Sequence, residues 1–228
     1  GSNTVLRATR LGNEDLAIQT VQEFLIAIQS LPEDIIIDRT KAPDPEIKYA
    51  TTPQLFSIGN NELIPTTSLS STQVIRVDLY QKDIEYKLTA GKDDDLEAFE
   101  DFDMKMPILY PRPPYSTMNF LVASGTTAPE VVSAIYNHQT INLEPETEGD
   151  IEPTYPIKTA QQAFEELQSG NGYIAAYSGA DSQILVNNVY LAYFLSETVQ
   201  DYLMPVIVFE GPNGFFAYVS AVEDEALE

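Results

Sequence analysis

The chain has 228 residues, with 35 acids against 12 bases, a formal net charge of −23 and a pI near 4.1. Binding of DNA or RNA needs clustered Lys and Arg to release counterions, so this balance argues against nucleic acid as a partner. The absence of cysteine removes disulfides, thiolate zinc sites and thiol catalysis, and no apolar run of about eighteen residues is present to span a bilayer as a helix.

Apolar residues make up 43% of the chain and aromatics 10%, enough to bury one large core or two small ones. Gly1-Ser2 reads as a cloning remnant. The expectation it raises is of a removed upstream segment, such as a signal peptide or membrane anchor.

Residues 13–31 predict the first helix. Leu16, Ala17, Val21, Phe24, Leu25 and Ile28 recur at three- and four-residue intervals, which buries one face. Asn13 suits the N-cap, Glu14 and Asp15 complement the dipole in the first turn, and Pro32 ends the element. A proline-rich connection at residues 42–45 leads into an extended segment over 47–56.

Between residues 73 and 88 the period changes to two. Val74, Arg76, Asp78 and Tyr80 alternate with Ile75, Val77 and Leu79, which is a strand by alternation and β-branching. Ile84, Tyr86 and Leu88 alternate with Glu85 and Lys87 and read as its hairpin partner. Residues 93–103 then hold seven acids in eleven positions: Asp93, Asp94, Asp95, Glu97, Glu100, Asp101 and Asp103. A strand over 117–123 and a second apolar run over 130–136 follow. Five acids and two prolines in 144–154 mark a boundary between two halves.

Beyond the boundary the signals sharpen. Thr159 opens a helix through Gln168 that buries Ala160, Ala163, Phe164 and Leu167, and Gln162 three residues on completes a capping box. Gly170-Asn171-Gly172 stops it. Strands are expected over 173–177, within 183–195, over 204–210 and over 215–222. The last two are joined by Gly211-Pro212-Asn213-Gly214, a hairpin signal. From residue 159 to the end there is no Lys or Arg, against ten carboxylates. The expected architecture is α+β, in two related halves that are each a helix packed on a twisted, mainly antiparallel sheet. The halves run over 4–143 (with the acidic loop 93–103) and 155–222, joined by the linker 144–154 and followed by an acidic tail at 223–228.

Candidate chemistry is sparse. His138 is the single histidine. A hydrolase triad would need it as base to a serine such as Ser124 or Ser178, yet neither serine sits in a Gly-x-Ser-x-Gly elbow. Asn137-His138-Gln139 reads as a polar turn instead. With 35 acids, some carboxylate pair at glycosidase spacing arises by chance and carries no information.

Calcium takes six to eight oxygens, and Asp93, Asp94, Asp95, Asp101 and Asp103 are the residues that would supply them. The run fails the EF-hand pattern because Ala98 stands where glycine is needed. Weak calcium binding through charge density is the only cofactor reading left. The aromatic residues of the second half, among them Tyr173, Tyr177, Tyr190, Tyr193, Phe215 and Tyr218, fit strand cores and cross-strand pairs. On an open face the same residues would line a groove for a peptide or a sugar.

The segment from Tyr155-Pro156-Ile157-Lys158 through the helix to Gly170 and Ala175 carries a resemblance, together with Val189-Tyr190-Leu191-Ala192-Tyr193, Tyr202-Leu203-Met204-Pro205-Val206 and Phe209. Together these resemble the extracytoplasmic YycH/YycI-type regulatory proteins and related membrane-anchored lipoprotein domains. The similarity covers about the last seventy residues and rests on packing and turn positions. It implies a mainly antiparallel α+β domain outside the cytoplasmic membrane that binds another cell-envelope protein or peptide and catalyses nothing. Membrane contact would then come only through an anchor. The alternative is a carbohydrate- or calcium-dependent surface-binding module.

Overall fold

The structure is a computed structural model that describes residues 11–35, 37, 51–88, 102–141 and 155–223. In chain order its elements are α1 (Glu14–Ala27), β1 (Thr52–Gly59), β2 (Glu62–Pro65), β3 (Val74–Leu79), β4 (Ile84–Leu88), β5 (Phe102–Met106) and β6 (Ile108–Leu109). There follow β7 (Met118–Ser124), β8 (Pro129–Tyr136), α2 (Ala160–Gln168), β9 (Tyr173–Ala176), β10 (Asn188–Phe194), β11 (Met204–Gly211) and β12 (Phe215–Ser220). The architecture is mixed α and β, mainly sheet, with antiparallel pairing dominant. Two compact units form: Gly1–Lys82 with Tyr115–His138, and Asp83–Pro114 with Gln139–Glu228.

The first unit is a five-stranded antiparallel sheet, β2-β1-β3-β7-β8, with α1 on one face. Strand alternation sends Ile75, Val77 and Leu79 of β3 and Met118, Phe120 and Val122 of β7 to the helix side, where all six are essentially inaccessible. α1 meets them with Ala17, Ile18, Val21 and Leu25. Leu16 and Ile28, read from spacing as part of the buried stripe, remain exposed, and Ile18 is buried instead.

The Asn13 side chain accepts from Leu16 N at 2.9 Å, as the cap assignment requires. The helix ends before Pro32. Gln29 adopts φ 55°, Ser30 N donates to Leu25 O and Gln29 N to Ile26 O, a Schellman stop that local sequence did not announce. β1 and β2 are joined by Asn60 and Asn61, both at positive φ, the geometry that a two-residue type I′ hairpin demands.

The second unit holds the sheet β6-β10-β11-β12-β9, in which β6 runs parallel to β10 and the other pairings are antiparallel. α2 lies on one face over Ile207, Phe209, Phe215, Ala217 and Val219. The capping box forms as expected: Gln162 N donates to Thr159 Oγ1 and Thr159 N to Gln162 Oε1. Gly170 at φ 88° takes the left-handed stop position. Asn213 and Gly214 at φ 56° and 65° turn β11 into β12.

Two expectations about the strands are corrected. β4 is not the hairpin partner of β3. It pairs with β5, Ile84 opposite Met106 and Leu88 opposite Phe102, while β3 lies between β1 and β7. Alternation reveals a strand but not its neighbour, and Gln81, just after β3, bridges back to Ile35 instead of turning a hairpin. The acidic stretch to Asp103 is likewise not loop throughout, because β5 begins at Phe102. Residues 83–114 group with the C-terminal unit, whereas the sequence reading places them in a contiguous N-terminal half. Parallel pairing of β6 with β10 joins segments far apart in the chain, and such pairing has no local signature. The linker 144–154, the residues 4–10 and most of the tail lie outside the described residues.

A tyrosine row and a stapled loop form the candidate functional site

Register decides which face each aromatic of the second unit joins. Tyr190 pairs with Val208, Val208 with Tyr218 and Tyr218 with Tyr173, so these four residues form one row across β10, β11, β12 and β9. The row lies on the face opposite α2. Tyr193 and Phe215 sit an odd number of steps along their strands and fall on the helix side, where Phe215 is buried in the core. Tyr177 also packs there, edge-on to Phe215 at 5.9 Å, and its hydroxyl both donates to Asp181 O and accepts from Asp181 N at 3.1 Å. Of the six aromatics read as one binding set, the structure therefore brings together Tyr173, Tyr190 and Tyr218. Tyr177, Tyr193 and Phe215 belong to the opposite face.

The hydroxyls of the row have internal partners. Tyr218 donates to Tyr110 O at 3.1 Å and Tyr173 to Pro111 O at 3.2 Å, so two neighbouring carbonyls of the segment after β6 are fastened to this face. Tyr190 donates to Glu210 Oε1 at 2.7 Å, and Asn188 donates to the other oxygen of the same carboxylate. The Tyr218 ring packs at 6.1 Å from Tyr173 and 5.9 Å from Phe194. Tyr218 is buried, and within the row Tyr173 alone is about half exposed, at 51%. The polar tips of Tyr173 and Tyr218 thus hold the chain's own backbone, and that of Tyr190 holds the Glu210 carboxylate.

The loop that follows β10 is built the opposite way. Leu195 is buried, and its N–H donates to Leu109 O at 2.8 Å, which fixes the loop's base to β6. Two glutamines then staple the rest. Gln139 Nε2 donates to Ser196 O and Thr198 O, at 3.1 and 3.0 Å, and Gln139 Oε1 accepts from Gln200 N. Gln200 Nε2 donates to Phe194 O and Tyr202 O, at 3.0 and 2.8 Å, and its Oε1 accepts from Ser196 N. Ser196 Oγ donates to Thr198 O and accepts from Thr198 N.

Arg112 adds an ion pair to Glu197, and the bond holds the Arg112 proton more firmly than usual. Beside the exposed Glu197, Thr198 and Asp201, this scaffold presents two apolar side chains to solvent: Val199 is 88% exposed and Tyr202 81%. Sequence reading did not find the loop, because its organising glutamines stand 61 residues apart and no periodicity links them.

The single histidine is half-buried and partnered, not a free surface turn. His138 Nε2 lies 2.9 and 3.1 Å from the two Asp34 oxygens, Gln81 Nε2 donates to the same carboxylate at 2.7 Å, and the His138 ring stacks on Tyr136. Tyr136 OH donates to Ser30 O at 2.6 Å, and burial, reinforced by the Asp34 charge, raises its pKa above the ordinary phenol value. This group ties the end of β8 to the turn after α1.

It does not form a triad with Ser124. Ser124 pairs with Pro129 at one end of the β7–β8 hairpin, while His138 follows Tyr136, which pairs with Met118 at the other. Six strand steps separate Met118 from Ser124, roughly 20 Å. Ser178 belongs to the second unit and forms a turn contact, its N–H donating to Asn213 O.

Of the proposed calcium ligands, Asp93, Asp94, Asp95 and Asp101 lie outside the described residues, as does the side chain of Asp103. Among the described residues no group of three or more His, Cys, Asp or Glu side chains is placed to hold a metal ion. No helix among them is long and apolar enough to cross a membrane.

The edges of the two five-stranded sheets carry features that disfavour pairing with another strand. β2 has four residues, β6 has two, β8 is bulged near Val132, and β9 is both short and bulged. No family model, curated protein or solved structure matches the chain.

Proposed function

We propose that the chain is a non-enzymatic binding or regulatory module of a cell-envelope protein. It stands outside the cytoplasmic membrane in the manner of the YycH/YycI-type proteins that its last seventy residues resemble. It acts by contact with a partner protein, and the contact is made through the loop at residues 195–203. One observation carries this reading. Polar side chains that could face water are turned inward to brace the loop, while Val199 and Tyr202 are held outward. Bracing removes the ordering cost that a floppy loop incurs on binding, and an exposed tyrosine is a favoured interface anchor. Strand addition is a weaker mode at the edges of the two five-stranded sheets, which are short or bulged.

Kinship between the two units is part of the same proposal: each packs one helix on a five-stranded sheet, and each sheet contains three antiparallel strands side by side in chain order, β3-β7-β8 or β10-β11-β12. The strand after the helix lies beside the first of these strands in one unit and beside the last in the other, so any duplication included a change of edge.

The test is photo-crosslinking of the full chain in cell-envelope extract, with a photoreactive residue replacing Val199. One identified protein should be captured, and capture should fall at least fivefold when Tyr202 is also changed to serine. Equal capture from a photoreactive residue at Leu185, which is 76% exposed at another site, would sink the assignment.

A further inference from the structure

The charge around the stapled loop narrows what the partner must look like. The described basic side chains of the second unit are Lys105, Arg112 and Lys158, and each lies against a carboxylate: Glu85, Glu197 and Glu166 respectively. From residue 159 to the end the chain has no further base, while Asp201 is exposed directly beside Tyr202 and Glu197 lies three positions before Gln200. Arg112 offsets Glu197, which leaves Asp201 as the carboxylate beside the apolar tip, in a unit whose described bases each already face an acid. A second copy of this chain would bring the same acids to the contact and be repelled, as would an anionic membrane.

We infer that the loop docks into a protein surface with an apolar pocket at its centre and a rim of Lys and Arg. The proposal rests on the functional reading above and adds the chemistry of the partner to it. Val199 and Tyr202 fill the pocket. Asp201 meets the rim, which sets orientation and speeds encounter. The glutamine staple keeps both side chains pointing outward before contact, so complex formation does not have to order the loop.

A defined probe tests the chemistry without the natural partner: a synthetic amphipathic helix of leucine and lysine, with two controls in which serine replaces leucine or glutamate replaces lysine. Binding is read by fluorescence anisotropy against the full chain. The leucine–lysine helix should bind at least tenfold more tightly than either control. The Val199→Ser/Tyr202→Ser variant, which keeps the net charge, should weaken it at least tenfold, and Leu185→Ser should not.

Binding of the double variant within twofold of the parent would reduce the effect to general attraction between a cation and an acidic protein, and would overturn the proposal. Loop-dependent binding to vesicles of neutral phosphatidylcholine would overturn it in favour of a lipid surface. If crosslinking at position 199 captures a partner whose contact surface lacks basic residues, the partner chemistry is wrong and the binding function stands. If crosslinking captures nothing specific, the functional reading itself fails.

Discussion

The second unit contains two regions built on opposite rules. In its sheet, apolar side chains point inward, with Phe209 and Ala217 wholly buried under α2, and the backbone pairs strand to strand. In the loop after β10, amide and hydroxyl side chains point inward to pair with the backbone, while Val199 and Tyr202 point outward. The first arrangement is what stability alone selects. The second forgoes the gain available from burying a valine and a tyrosine. The contrast separates residues that hold the fold from residues held by it, and a site of function is where such a local violation is expected.

The strongest way to sharpen the contrast is to truncate the core. Phe209→Ala removes a fully buried ring that packs 5.9 Å from Phe164, and it should cost about 3–5 kcal/mol in a urea titration. Gln200→Ala comes next. It strips partners from Ser196 N, Phe194 O and Tyr202 O in a partly solvated loop, and a loss of about 1–3 kcal/mol is expected. Hydrogen exchange should accelerate at Ser196 and leave the β11 amides protected. Uniform acceleration over β11 would mean that the loop is part of the core after all.

Thr159→Ala, which removes the α2 cap, should cost about 1 kcal/mol by the same titration.

Asp83 gives the smallest effect, and one that depends on pH. Burial raises its pKa above the usual carboxylate range, with Lys105 pulling down and Glu85 pushing up. A raised folded-state value means that the folded form keeps its proton longer. The stabilising contribution is therefore full below the ordinary carboxylate pKa and is lost as pH rises through the raised value. Asp83→Asn should gain on the parent between acidic and neutral pH, by less than about 0.5 kcal/mol once solvent screening is allowed for. A gap between the two proteins that does not change with pH would show that burial of this carboxyl contributes nothing.

Local chemistry was legible in the sequence, and long-range partnership was not. Thr159 and Gln162 stand three residues apart, so the capping box could be read directly, as could Asn13 and the Asn213-Gly214 turn. The strand over Val74–Leu79 was plain from alternation, but its neighbours β1 and β7 were not. The pairing of β4 with β5 crosses residues outside the described set, and β6 has only two residues to announce its parallel bond to β10.

The tyrosines were recognised as one group, although their face depends on parity along each strand: Tyr190 and Tyr193 are three residues apart and so diverge. The stapled loop was invisible for a further reason. Its order comes from side chains bonding to backbone carbonyls, a pattern with no period, and Gln139 reaches it from 57 residues away. His138 likewise finds Asp34 across 104 residues.

The proposed binding role requires that Val199 and Tyr202 carry contact and not stability. Measuring the urea midpoint and the crosslink yield at the loop together decides this, in the parent and in the Val199→Ser and Tyr202→Ser variants, with the photoreactive residue placed at Thr198. Exposed positions of this kind should shift stability by no more than about 0.5 kcal/mol, while capture of the partner falls at least fivefold. A lowered midpoint with undiminished capture would contradict the claim and return both residues to the fold.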